Sequence, residues 1–134
     1  MTPFTFSTTR SIISGSGKAA EIGPIARPLL GDKVLLVTDA GLRRSGLLDP
    51  SLASLRESGI DLLVFDEVVA DPPESIVLAA ASAAIAHQAT GVLAIGGGSP
   101  MDVAKLAALL ARSGEALVDI YGVCLLYTSD AADE

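Results

Sequence analysis

Apolar residues in this chain gather into short unbroken runs, separated by longer stretches in which they recur every three or four positions. Asp32 to Asp39, with Val34-Leu35-Leu36-Val37 at its centre, Ile60 to Phe65 (IDLLVF) and Val92 to Ile95 are of the first kind. A continuous apolar run bounded by turn residues suits a parallel strand covered on both faces. Lys18 to about Leu30, Ser51 to Ser58, Glu74 to Ala89 and Pro100 to Ala111 are of the second kind and predict helices. In the first of these, Ala19, Ile22, Ile25, Ala26 and Leu29 share a face, while Pro24 and Pro28 predict a kink or an early break near Gly23. Arg43 and Arg44 fall in a further short helical turn, and Asp66 to Pro73 is a loop by virtue of its prolines. The small side chains of the Ala-rich stretch, Ala80, Ala83 and Ala84 among them, permit tight packing on a sheet. TFSTT and RSIIS near the start predict an edge hairpin. Strands alternating with helices at this spacing predict an α/β fold with a doubly wound, mainly parallel sheet, and no internal repeat is visible.

Composition narrows the function. The chain has 134 residues, half of them hydrophobic, which is one domain's worth of chain with a sizeable core. Its formal charge is −7 and neither Lys nor Arg forms a run, which argues against nucleic acid and anionic membranes as partners. No apolar stretch reaches transmembrane length, since even Ile76 to Ala89 is short and carries Ser82, His87 and Gln88. MTPFTFSTTR has neither a basic n-region nor an apolar h-region, which points to a cytoplasmic protein. A single cysteine, Cys124, excludes an internal disulfide framework.

The candidate chemistry sits in Ala89 to Lys105, ATGVLAIGGGSPMDVAK. A strand runs into Gly96, Gly97 and Gly98; Ser99 stands where a helix N-cap belongs, with Pro100 at the first helical position and Asp102 three residues after the serine. Without a Cβ, such a turn lets a ligand approach the backbone, so the N–H groups of Gly97, Gly98 and Ser99 can point at an anion, joined by those of Met101 and Asp102. The helix dipole adds about 0.3 to 1 kcal/mol for an anion, leaving most of the affinity to the N–H bonds, and a diphosphate is the natural guest. The competing reading is packing: a glycine turn shaped by the fold, with Ser99 and Asp102 forming a capping box. The pattern matches neither G-x-G-x-x-G nor the G-K-[ST] ending of a P-loop.

GGGSPMDVAK resembles the N-terminal signature of the iron-containing (group III) alcohol dehydrogenases, GGGS-x-x-D-x-A-K, and the surrounding chain agrees with that family from about Phe4 to Val123. The resemblance implies a Rossmann-like N-terminal domain, 1–123, that binds NAD. It implies hydride transfer between NAD(H) and an alcohol or an aldehyde/ketone, with Fe(2+) or Zn(2+) held by an aspartate and three histidines in a helical C-terminal domain that this chain lacks. The fragment alone is then expected to be inactive, and the full-length enzyme to be a homo-oligomer acting on a small-molecule substrate. A glycerol dehydrogenase or maleylacetate reductase relative shares the same cradle. A stand-alone nucleotide-binding module is the alternative from another class. From Cys124 the character changes: CLLYTSDAADE has no counterpart in the resemblance, and one of its reverse translations resembles a transposon adapter used in sequencing libraries. Residues 124–134 are therefore expected to be a non-native tail.

Five acidic or basic positions remain to be read. Asp39 ends the first central strand, where ligands gather in open α/β sheets. Its carboxylate can accept from an adenosine ribose 2′-hydroxyl and would repel a 2′-phosphate by roughly 4 kcal/mol per charge pair at 4 Å and an effective dielectric near 20, favouring NAD over NADP. The other reading of Asp39 is a cap on the short helix that follows. Asp71, in Val68-Val69-Ala70-Asp71-Pro72, falls where the family commonly has asparagine beside the cofactor; a carboxylate only accepts, so its implied place is by the ribose or nicotinamide rather than the diphosphate. Asp102 and Lys105, three apart on one helix, belong to the family motif, Asp102 nearer the phosphate-facing end. The only histidine, His87, suits a helix C-terminus and has no second ligand near it in sequence.

Overall fold

The computed structural model describes residues 13–113. The expected N-terminal hairpin lies outside them apart from Ile13 and Ser14, which are irregular, and so does the stretch from Gly114 on. A 3₁₀ turn, Lys18–Glu21, leads into α1 (Ile22–Leu30), followed by β1 (Lys33–Val37), α2 (Ala40–Arg44), α3 (Asp49–Glu57), β2 (Asp61–Phe65), α4 (Glu74–His87), β3 (Gly91–Ala94) and α5 (Gly98–Ser113). The single helix expected over 18–30 is divided at Glu21/Ile22, just before the glycine where a break was expected. Pro24 then falls in the first turn of α1, where a missing N–H is harmless, and only Pro28 lies inside the helix.

Among the described residues three strands pair in parallel, in the order β2-β1-β3. Leu35 of β1 pairs with Leu63 on one side and Val92 on the other. The four central residues of β1, Val34 to Val37, are completely buried, as the unbroken apolar run requires. Their side chains alternate between two cores. Leu35 and Val37 pack with Phe65 of β2 and with Val77, Ala80, Val103 and Ala107 of the α4/α5 layer. Val34 and Leu36 pack with Ala26, Leu48, Leu52 and Leu55 of the α1/α3 layer. Each such side chain removed from water contributes about 1.5–3 kcal/mol of transfer free energy. The result is a three-layer α/β/α arrangement, the doubly wound sheet that the alternation of elements predicts.

Polar contacts fix the layers. The N–H of Gly23, an orphan donor of the first turn of α1, gives its hydrogen to Ser54 Oγ of α3 at 2.9 Å, and Ser51 Oγ donates to Ala19 O at 2.9 Å. A Cβ at position 23 would lie 2.1 Å from Ser54 O, so only glycine allows α1 and α3 to approach this closely. At the end of the sheet away from the glycine turn, Thr90 Oγ1 lies 2.6 Å from Leu30 O and 3.2 Å from Lys33 N. His87 Nε2 lies 2.9 Å from Asp61 O and ties the end of α4 to the start of β2.

Candidate dinucleotide site

From β1 the chain crosses to β2 on one side, then returns over β1 through α4 to reach β3 on the other. That reversal opens a crevice between the carboxyl ends of β1 and β3, the place where open α/β sheets bind ligands. Asp39 follows β1 and Gly96 to Gly98 follow β3, so the topology alone brings them together. A cleft of about 500 Å³ lies there. One wall is Asp39, Ala40 and Gly41, another is Val68, Val69 and Ala70, and the turn Gly97 to Pro100 closes it.

The three glycines are not equivalent. Gly96 has φ +143°, and a Cβ there would meet Pro100 Cγ at 3.0 Å, so the fold itself asks for glycine. Gly97 and Gly98 have no positive φ, and a Cβ on either would meet nothing within 4 Å. Packing and backbone strain therefore do not account for the missing side chains at 97 and 98. What their absence leaves open is the space in front of their own N–H groups.

The helix begins earlier than expected. α5 starts at Gly98, so Ser99 and Pro100 lie in its first turn and Ser99 is not the N-cap. Met101 N–H donates to Gly97 O at 3.4 Å, which makes Gly97 the residue whose carbonyl opens the helix and removes Met101 as an anion donor. Asp102 N–H comes one position later and is likewise inside the ladder. Pro100 has no N–H, so the groups left facing outward are those of Gly97, Gly98 and Ser99. Pro100 is itself buried, which pins the turn from behind.

Asp39 serves both readings at once. Its Oδ1 accepts from Leu42 N at 2.7 Å and caps α2. That bond holds the carboxylate in one orientation, with Oδ2 3.7 Å from where a Cβ on Gly96 would sit, toward the glycine turn. Asp39 also forms a backbone bridge to Glu67, which carries the Val68–Ala70 wall up to the cleft. Of the six candidate residues, Asp39, Gly97, Gly98 and Ser99 line the cleft; Asp71 and Asp102 do not. Asp71 is exposed beyond Ala70 with φ +47°, a left-handed conformation that Asp and Asn tolerate better than most residues. Sequence reasoning passed over the apolar walls. Their one local signal is the pair Val68-Val69 in a loop, of which Val68 is buried and Val69 is 53% exposed. Among the described residues there is no group of three His, Cys, Asp or Glu side chains able to hold a metal ion, and no helix long and apolar enough to cross a membrane.

The description of one protein family, iron-containing alcohol dehydrogenase, matches residues 9–131. The chain belongs to the iron-containing alcohol dehydrogenase family. The match runs past Val123 into the stretch that the sequence sets apart as a tail. Among curated family relatives, a choline dehydrogenase from Bacillus subtilis is 37% identical over 101 residues, covering 75% of this chain and 25% of that protein. An NAD-dependent methanol dehydrogenase from Bacillus methanolicus is 33% identical over 111 residues, covering 83% and 29%. The NADH-dependent butanol dehydrogenase A of Thermotoga maritima superposes with a TM-score of 0.80 at 29% identity, covering 89% of this chain and 30% of that one. A sulfoacetaldehyde reductase from Bifidobacterium kashiwanohense, solved in complex with NAD+, superposes with a TM-score of 0.75 at 27% identity, covering 92% and 32%. The chain thus spans between a quarter and a third of the length of these family members, and the shared part has the Rossmann-like α/β fold.

Proposed function

We propose that this chain is the dinucleotide-binding N-terminal part of an NAD(H)-dependent alcohol dehydrogenase that interconverts an alcohol and an aldehyde or ketone. The observation that carries the reading is the pair Gly97 and Gly98, whose missing side chains leave the mouth of the cleft open where three N–H groups face out. In this reading the N–H groups of Gly97, Gly98 and Ser99 hold the diphosphate, at the positive end of α5. Asp39 accepts from the adenosine ribose through Oδ2, its other oxygen being fixed by Leu42 N. The apolar wall Val68–Ala70 gives a flat, water-excluding surface for the adenosine half. Asp71 and Asp102 stand outside the cleft as described and belong to the second rank of the assignment, reached only by the parts of the dinucleotide that extend beyond it.

When bound, the nicotinamide supplies hydride chemistry, and an Fe(2+) or Zn(2+) ion expected in the remainder of the full-length protein supplies Lewis-acid polarisation of the substrate oxygen. The present residues bind and orient; the substrate pocket and metal ligands belong to that remainder. In this reading the full-length enzyme is a cytoplasmic homo-oligomer.

Calorimetric titration of the 134-residue chain tests the binding assignment. NAD+ and ADP-ribose are expected to bind with similar affinity, because the contacts lie on the diphosphate and adenosine, while nicotinamide mononucleotide is expected not to bind. Equal binding of the mononucleotide, or no binding of ADP-ribose, would overturn it.

A further inference from the structure

Arg43 stands one helical turn beyond Asp39 on α2, its N–H bonded to Asp39 O at 3.1 Å. Its guanidinium is the cation nearest along the chain to the carboxylate assigned to the ribose. It is held elsewhere: Arg43 Nη1 lies 2.8 Å from Asp66 Oδ2, at the carboxyl end of β2. Asp66 immediately precedes Glu67, whose backbone bridges to Asp39, so the Arg43–Asp66 pair stands beside the segment that carries the Val68–Ala70 wall to the cleft. Arg44, also exposed, is turned about 100° around the helix axis from Arg43.

We infer that Asp66 is a second determinant of dinucleotide choice, acting by holding Arg43 away from the ribose end of the cleft. This rests on the ribose assignment of Asp39. A 2′-phosphate needs more than the removal of a repelling carboxylate; it needs a cation free to turn toward it, and Arg is suited to phosphate because its planar donors can bind two oxygens together. With Asp66 in place, Arg43 is already paired and its charge neutralised. With Asp66 uncharged, Arg43 is free to pair with the phosphate. Asp66 is thus a positioning residue that touches neither cofactor nor substrate.

Binding affinities for NAD+ and NADP+, which differ only in the 2′-phosphate, test this on the full 134-residue chain. The variants are Asp39→Gly, Asp39→Gly with Asp66→Asn, and both together with Arg43→Ala. Glycine is chosen at position 39 because a glycine N-cap is nearly as good as aspartate, so α2 survives. The Arg43–Asp66 side chains are 44% and 33% exposed, and a pair so exposed contributes little to folding, so Asp66→Asn is expected to leave the melting temperature unchanged. Adding Asp66→Asn to Asp39→Gly is expected to tighten NADP+ binding by about two- to fivefold, the cost of breaking one exposed ion pair being what is removed, with NAD+ binding unchanged. Arg43→Ala should abolish that gain, and raised NaCl should erode it. If NAD+ binds but Asp66→Asn adds nothing for NADP+, or the gain survives Arg43→Ala, the inference about Asp66 is wrong and the function stands. If the wild-type chain binds neither dinucleotide, the proposed function falls and this inference with it.

Discussion

Two buried residues show what the fold tolerates and what it does not. Thr38 is completely buried one residue beyond β1; its N–H bonds Phe65 O, but its Oγ1 finds no hydrogen-bond partner among the described residues. A hydroxyl taken out of water without a partner costs about 1–3 kcal/mol, so Thr38→Val, nearly the same shape, is expected to raise stability by about 1 kcal/mol in urea denaturation. A loss of stability would mean that the hydroxyl is satisfied by a buried water. Gly23 behaves oppositely. With Ser54 O 2.1 Å from its would-be Cβ, Gly23→Ala must push α1 off α3, and a loss of about 1–3 kcal/mol is expected in the same measurement. These residue-scale facts were only partly legible. Asp39, Gly97, Gly98 and Ser99 could be picked from sequence because each sits at the end of a recognisable strand. The capping bond from Leu42 N to Asp39 could be offered only as a rival reading, whereas in the folded chain it is the means by which the carboxylate is oriented. Neither the orphaned Thr38 hydroxyl nor the Arg43–Asp66 pair could be read, because both depend on contacts with β2 that local sequence does not encode.

Among the elements, the strands followed most directly from the chain. A run such as Val34 to Val37 has no polar face to show to water, so burial on both sides is its only stable fate, and the observed β1 ends within two residues of the expected boundaries at either side. Helix ends were less legible. α5 opens at Gly98 rather than after Ser99 because the Gly97 carbonyl already accepts from Met101 N–H; the extra residues shift the donors toward the glycines. α1 offers an instructive case of capping from outside. Glu21 before it provides no side-chain cap, and the orphan N–H of Gly23 is met by Ser54 of α3 instead. Ser54→Ala would leave that buried donor unsatisfied and is expected to cost about 1–2 kcal/mol, whereas a surface serine change such as Ser75→Ala should cost almost nothing.

On the scale of the whole molecule, the chain order β2-β1-β3 does what no single motif does: it sets the glycine turn and Asp39 on either side of one crevice. The fold class was legible from the alternation of apolar runs and helices. The walls of the site were not, since Val68–Ala70 reach the cleft only through the backbone bridge between Asp39 and Glu67. The stretch 124–134 belongs to this scale as well. If it is foreign, source DNA prepared independently should continue past codon 123 in a different frame of residues leading to a histidine-bearing helical region; recurrence of the same codons would contradict that proposal.

The central claim is that Gly97 and Gly98 are glycines for a ligand's sake. Alanine at both positions separates folding from binding. Beyond the adjoining backbone no protein atom lies within 4 Å of either new methyl group, and neither position has a positive φ; alanine in place of Gly98 favours the first turn of α5 while alanine in place of the N-cap Gly97 costs a similar amount, so the melting temperature should change little. Calorimetric affinity for NAD+ should fall at least about tenfold, as the methyl groups fill the space the diphosphate needs. A well-folded double variant that binds NAD+ as tightly as the wild-type chain would contradict the account.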